Sequence, residues 1–408
     1  MKIELAVMAV IFSVWLLSAG CAAAKDFNKQ LSQIVRPYRF NIAQWEASSI
    51  VKGVKGLISR ENKTTGDEME KVQDYFNAVE QSKILTSEIE AIKMGNRGGD
   101  LASLEAELGE LQQKKDSLVN TVETVIVGQV KEILREQGIY NPADKYVKFK
   151  IHFPPVDFKL EKPPHLLVVS PRDRIESMRE ILLQQEMELE DTERIEEEVD
   201  KLDVSSIVVG LGGFGGTYPS FVTNEASLRF TIDAAVEEWL HQYLFFKPLG
   251  FRYAMDVLGV KRDYEIATMN ETVASMVSKE IGSMVVENYY PDLKSTNGEQ
   301  SKKSGFDFNH EIRQIRRAVD EYLAQGEIEQ AEEFMKERRQ YLASKGYYIR
   351  KLNQAYFAFH GTYADRPTSI SPIGGELERL REQSASLKEF LDTVSSMTSR
   401  QDLLESLK

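Results

Sequence analysis

The 408 residues suffice for a catalytic domain with an accessory module, and an apolar share of 42% excludes a globally disordered chain. A net charge of −13 argues against a nucleic-acid partner, which rewards clustered Lys and Arg. The single cysteine, Cys21, excludes an intrachain disulfide framework and a cysteine-built zinc site, so a metal centre has to draw on five histidines: His152, His165, His241, His310 and His360.

The chain opens on a targeting segment, residues 1–24. Residues 5–20 are almost wholly apolar, preceded by Lys2 and followed by small residues, the pattern of an export signal. Cys21 after Leu17-Ser18-Ala19-Gly20 resembles a bacterial lipoprotein lipobox, with Leu one place further from the cysteine than is usual. Ala22-Ala23-Ala24 suits ordinary signal cleavage instead, and the stretch is nearly as long as the about 20 residues a retained membrane anchor needs. The lipoprotein reading predicts lipidation at Cys21. All three place the rest of the chain outside the cytoplasm, at the cell membrane in the lipidated and anchored cases.

Residues 25–140 read as a helical region. Arg36-Pro37-Tyr38-Arg39-Phe40 begins an extended piece that leads, over 36–58, into a helix. Over 65–140 the spacing predicts a helical hairpin. Leu101, Leu104, Leu108, Leu111, Leu118, Val122 and Val125 form an a/d seam broken only by Lys115, and Met69, Val72, Phe76 and Val79 start a second stripe. Gly95–Asp100 is the turn, with Asp100 able to cap the second helix. Such an antiparallel coiled coil serves as a spacer or as a homodimer contact.

Residues 141–375 form the next domain. Tyr146–His152 and His165–Ser170 read as strands, 173–202 as an acidic helix, and Ser205–Val209 as a buried strand. Residues 225–246 read as a helix, 252–290 as mostly helical, Lys294–Ser304 as a polar loop, 309–345 and 346–360 as helices, and 376–408 as a charged C-terminal helix. Strands followed by a run of helices give an α+β, predominantly helical fold. Gly210-Leu-Gly-Gly-Phe-Gly215 matches a dinucleotide fingerprint, but Gly216-Thr-Tyr-Pro219 follows where that site needs a helix, so it reads as a glycine-rich loop.

The chemistry-bearing segment is Glu237-Glu238-Trp239-Leu240-His241. On a helix Glu237 and His241 share one face, with Glu238 about 100° around from Glu237. The flanking residues Ala234 to Val236, Trp239, Leu240 and Leu244 to Phe246 are apolar, and two glutamates inside such a helix are costly to bury without a metal or another partner. This register resembles the H-E-x-x-H helix of gluzincin-type zinc metallopeptidases, with glutamate in the first histidine's place. Asn270-Glu271-Thr-Val-Ala274 matches their Asn-Glu-x-x-Ala form, and Tyr348–Tyr363 resembles the late Tyr-bearing segment of bacterial predicted aminopeptidases.

The resemblance covers roughly residues 200–375. It implies a zincin-like metallopeptidase domain preceded by the coiled-coil hairpin, with Glu237, His241 and Glu271 as metal ligands and Glu238 as the base that activates water and shuttles its proton. Tyr363 or His360 would stabilise the oxyanion. Glu237 can bind zinc, at ~2.0–2.2 Å. Its added negative charge weakens the ion as a Lewis acid and improves the odds of manganese or another divalent metal. His165, His310 or His360 are the other imidazoles available to complete the set. The expected function is a membrane-tethered extracytoplasmic metallopeptidase-like hydrolase acting on a peptide or protein substrate. The alternative is a non-catalytic pseudo-peptidase lipoprotein that binds or scaffolds.

Overall fold

A computed structural model describes residues 22–40, 66–93, 98–143, 150–257, 260–292 and 306–408. The fold is mixed α+β and predominantly helical. Cys21, the apolar segment before it, residues 41–58 of the second expected helix, residues 146–149 and the polar stretch 294–304 lie outside the described residues. Among those described, no helix is long and apolar enough to cross a membrane.

Helix α1 (Ala22–Val35) runs into a single 3-10 turn, Arg36–Tyr38, where an extended piece was expected. Pro37 in the first turn suits a helical start, and extended backbone begins only at Arg39, which bridges to Leu183. The hairpin follows as α2 (Gly66–Lys93) and α3 (Leu101–Glu136), with Asp100 accepting from the Ser103 amide at 3.3 Å. Its seam is unevenly buried. Val72, Tyr75, Val79, Val122 and Val125 are buried at the base, whereas Leu101, Leu104, Leu108 and Leu111 remain half-buried towards the tip. At the base a third layer covers the pair, and Tyr290 Oη donates to Gln129 across that junction at 3.0 Å. Lys115, where the heptad breaks, is itself buried, and burial lowers its pKa.

Two small sheets follow. Strands β1 (Phe158–Leu160), β2 (His165–Pro171), β3 (Arg179–Leu183), β4 (Val204–Gly210), β5 (Gly213–Phe214) and β6 (Ser220–Val222) pair in the orders β3-β2-β4 and β1-β6-β5. The first sheet is antiparallel, and in the second β1 lies parallel to β6 with β5 antiparallel at the edge. The acidic helix expected over 173–202 is therefore corrected: 179–183 is a strand, and α4 spans only Leu189–Asp200. Leu182 and Leu183 lie opposite Leu166 and His165 of β2, so pairing overrides the helical propensity of the acidic flanks. Residues 150–152, expected to be strand, are irregular.

The remaining helices are α5 (Leu228–Phe245), α6 (Pro248–Val257), α7 (Tyr264–Tyr289), α8 (Phe308–Ala324), α9 (Ile328–Ser344), α10 (Gln354–His360), α11 (Ile373–Gln383), α12 (Leu387–Ser395) and α13 (Arg400–Ser406). Three helical expectations are corrected here. The stretch 309–345 is two helices, broken at Gly326, whose φ of +78° is a left-handed value that favours glycine. Residues 346–353 are not helical, and α10 starts only where Asn353 caps it by accepting from the Tyr356 amide. The C-terminal stretch is three short helices. Ser386 and Ser399 cap the second and third, and all three bury apolar faces through Leu377, Phe390, Leu391 and Leu403.

One apolar core joins the hairpin base, α5, α7 and the C-terminal helices. Trp239, nearly inaccessible at its centre, donates its indole N–H to the Pro154 carbonyl at 2.7 Å. Each fully buried large apolar side chain contributes roughly 1.5–3 kcal/mol, and together they hold α5 and α7 in fixed register.

Candidate metal centre

Helix α5 starts at Ser227, whose side chain accepts from the Phe230 amide. Its apolar residues (Ile232, Ala235, Val236, Trp239, Leu240, Tyr243 and Leu244) are buried. What remains is one narrow polar stripe at i, i+4 spacing, Asp233, Glu237 and His241, with Glu238 and Gln242 beside it. Helix α7 crosses this stripe. Asp263 caps it, and its interior carries the buried polar run Thr268, Asn270, Glu271, Thr272 and Ser275.

The crossing brings Glu237, His241 and Glu271 together. One ligand atom from each lies within 4.8 Å of the others, an arrangement that can hold a metal ion. His241 Nε2 stands 3.6 Å from Glu271 Oε2. Behind the ring, the Asn270 amide lies 3.1 Å from His241 Nδ1, and Asn270 Oδ1 is buried without a partner. A half-turn of that amide sets Oδ1 to accept from Nδ1–H and leaves the Nε2 lone pair facing Glu271. That is the tautomer a metal-binding imidazole needs.

The electrostatics are those of negative charge crowded into a poorly solvated place. Burial raises the Glu237 carboxyl and Glu271 adds to it, while the His241 ring, the Arg366 charge and the nearby Tyr363 hydroxyl oppose. Glu238 is pushed well above the carboxylate range by burial, then by Glu237 and Glu271; the nearby Gly215 amide opposes. Tyr253 on α6 lies beside Glu271, and both Tyr253 and Tyr363 have hydroxyls raised well above the ordinary value by burial and by the Glu271 charge. No Lys or Arg lies within ion-pair distance of Glu237, Glu238 or Glu271 among the described residues. Two carboxylates and an imidazole converging without a counter-cation fit a divalent ion.

The glycine-rich loop closes one side. A Cβ on Gly213 would run into the Glu238 carboxylate, and one on Gly215 would stand 2.8 Å from the Glu238 carbonyl oxygen. Gln242 fixes this loop by donating to the carbonyls of Gly215 (3.2 Å) and Thr217 (2.9 Å). The glycines are there because the backbone lies directly against Glu238.

Of the residues singled out in the sequence, Glu237, Glu238, His241, Glu271 and Tyr363 converge. His360 packs instead against Tyr356, with ring centroids 4.4 Å apart, and burial pushes its pKa down to about 4. His165 is held by the Gln184 carbonyl, and His310 is exposed on α8. Sequence reasoning missed Tyr253 and the purpose of Gly213, Gly215 and Gln242. It quoted Asn270 without a role, although its place next to Glu271 was the available signal. Compared with known protein families, curated proteins and solved structures, the chain matches none.

Proposed function

We propose that this chain is a zincin-like, metal-dependent hydrolase that cleaves peptide bonds outside the cytoplasm, held at the membrane by its N-terminal segment. The observation that carries this reading is the grouping of Glu237, His241 and Glu271 within 4.8 Å, with Glu238 on the same helix and Asn270 behind the imidazole. Glu237, His241 and Glu271 would hold the ion: zinc by preference for imidazole, with manganese favoured by the two carboxylates. When bound, the ion supplies Lewis acidity that activates water and polarises the scissile carbonyl.

Glu238 takes the proton from the attacking water and passes it to the leaving amine. A carboxyl raised by burial and by two neighbouring glutamates holds a proton more readily than an ordinary one, as a proton shuttle requires. The Tyr363 hydroxyl, near Glu237, would donate to the oxyanion.

Elemental analysis of the purified chain, paired with hydrolysis of a peptide mixture, tests this. The expected result is about one equivalent of zinc or manganese per chain. Glu238→Gln should retain the metal and lose about 10²–10⁴-fold in kcat, and Glu237→His should tighten zinc. A chain that takes up no metal, with His241→Ala folding as wild type, would instead support a non-catalytic binding or scaffolding lipoprotein.

A further inference from the structure

We propose that Arg366 is a specificity-determining residue that binds a carboxylate of the substrate next to the scissile bond. The proposal rests on the peptidase reading of the site and adds the class of substrate. Arg366 follows α10 in the loop that carries Tyr363. Its guanidinium lies over the Tyr363 ring, 4.0 Å from the centroid, a cation–π contact that restrains the group while the ring face accepts none of its edge donors. Arg172, Arg350, Arg381 and Arg400 each fork onto a glutamate. The Arg366 guanidinium makes no hydrogen bond and no ion pair among the described residues. It is close enough to Glu237 to influence that carboxyl, yet beyond ion-pair distance from it.

The loop is held firmly enough to place a recognition group. Asp365 accepts from Ser275 at 2.8 Å and from Lys279, both on α7. The Ala364 amide donates to Thr272 Oγ1 at 2.9 Å, and the Arg366 amide donates to the Tyr363 carbonyl at 3.0 Å. Thr272 is the residue after Glu271, so the loop is tied to the helix that supplies a proposed ligand. A planar fork, restrained by that contact and half-open to solvent beside an acidic centre, matches the bidentate geometry of a carboxylate. Two substrate groups have that chemistry: a free C-terminal carboxylate, or an acidic side chain.

A role confined to balancing the charge of Glu237 would affect all substrates alike, and this separates the two possibilities. The metal-loaded full chain is assayed on matched peptides: a free C-terminal acid against its amide, and an internal Glu against Gln. Wild type should favour one anionic member of these pairs by about tenfold to a hundredfold in kcat/KM, mainly through KM. The pair that shows the preference identifies the source of the carboxylate. In Arg366→Gln the ratio should fall to about one, whatever the absolute rates, and Arg366→Lys should restore part of it. An equal ratio in wild type and Arg366→Gln would overturn the proposal. If wild type hydrolyses no peptide, the peptidase reading fails separately. Calorimetric binding of the same acid and amide peptides to wild type and Arg366→Gln then decides the role of Arg366, and equal affinities would refute it.

Discussion

Glu196 and the Glu237–Glu238–Glu271 group are both carboxylates withdrawn from water, and they are treated in opposite ways. Glu196 is 3% exposed and fully engaged: it accepts the Val208 amide at 2.7 Å, both terminal nitrogens of Arg350, and has Lys351 at 3.4 Å. Glu376 is treated alike, with the Arg400 fork at 2.7 and 3.0 Å. The three glutamates on α5 and α7 meet hydroxyls, one amide and one imidazole, and no lysine or arginine among the described residues within ion-pair distance. Paired charges fix how α4, β4 and the segment before α10 sit together. Charges left without a counter-cation store electrostatic free energy that a bound ion can release, so they mark the candidate metal site.

Three variants break or sharpen this contrast. The largest effect is expected for Arg350→Met, which strips buried Glu196 of its bidentate partner and leaves it the Val208 amide and Lys351 at 3.4 Å. Urea denaturation should show a loss of about 3–5 kcal/mol with no change in metal content. Asn270→Ala should do the reverse, leaving stability nearly intact. It frees the His241 ring to choose its tautomer, and metal affinity, read by chelator competition, should fall about 10–100-fold.

The third effect depends on pH and concerns His360. Its folded pKa of about 4 lies below the unfolded value of about 6.5, so between these limits the unfolded chain binds more protons. The stability it contributes is complete above pH 6.5 and is lost as the pH falls towards 4, with a slope of at most about 1.4 kcal/mol per pH unit. The raised carboxyls Glu237 and Glu238 act with the opposite sign. The difference between wild type and His360→Phe therefore isolates the imidazole. An unchanged pH profile in that variant would show that His360 is not held neutral.

Several features were legible before any coordinates. The leucine spacing from Leu101 to Val125 announces a hairpin helix, and Asp100 announces its cap, because both depend on contacts three or four residues apart. The stripe of Glu237 and His241 is legible for the same reason. The strand at 179–183 was not, since its acidic surroundings favour helix and only pairing with β2 reverses that preference. The C-terminal stretch looks like one charged helix until Ser386 and Ser399 are seen to cap separate helices over the main core. Lys115 was visible as a break in the seam, but its burial depends on what packs around the hairpin base.

The sequence by itself therefore determined the local elements of the candidate site: the helix bearing Glu237, Glu238 and His241, the Asn270-Glu271 step, and the glycine-rich turn. Their side-chain spacing follows from helix geometry and backbone sterics alone. Only the tertiary structure decided that Glu271 crosses to within 3.6 Å of His241, that Tyr253 lies beside it, and that the glycine loop lies on Glu238. It alone also set the Tyr363–Arg366 loop beside the acidic group. These contacts join elements far apart in the chain. They depend on how the shared apolar core fixes helix against helix, which no local periodicity records.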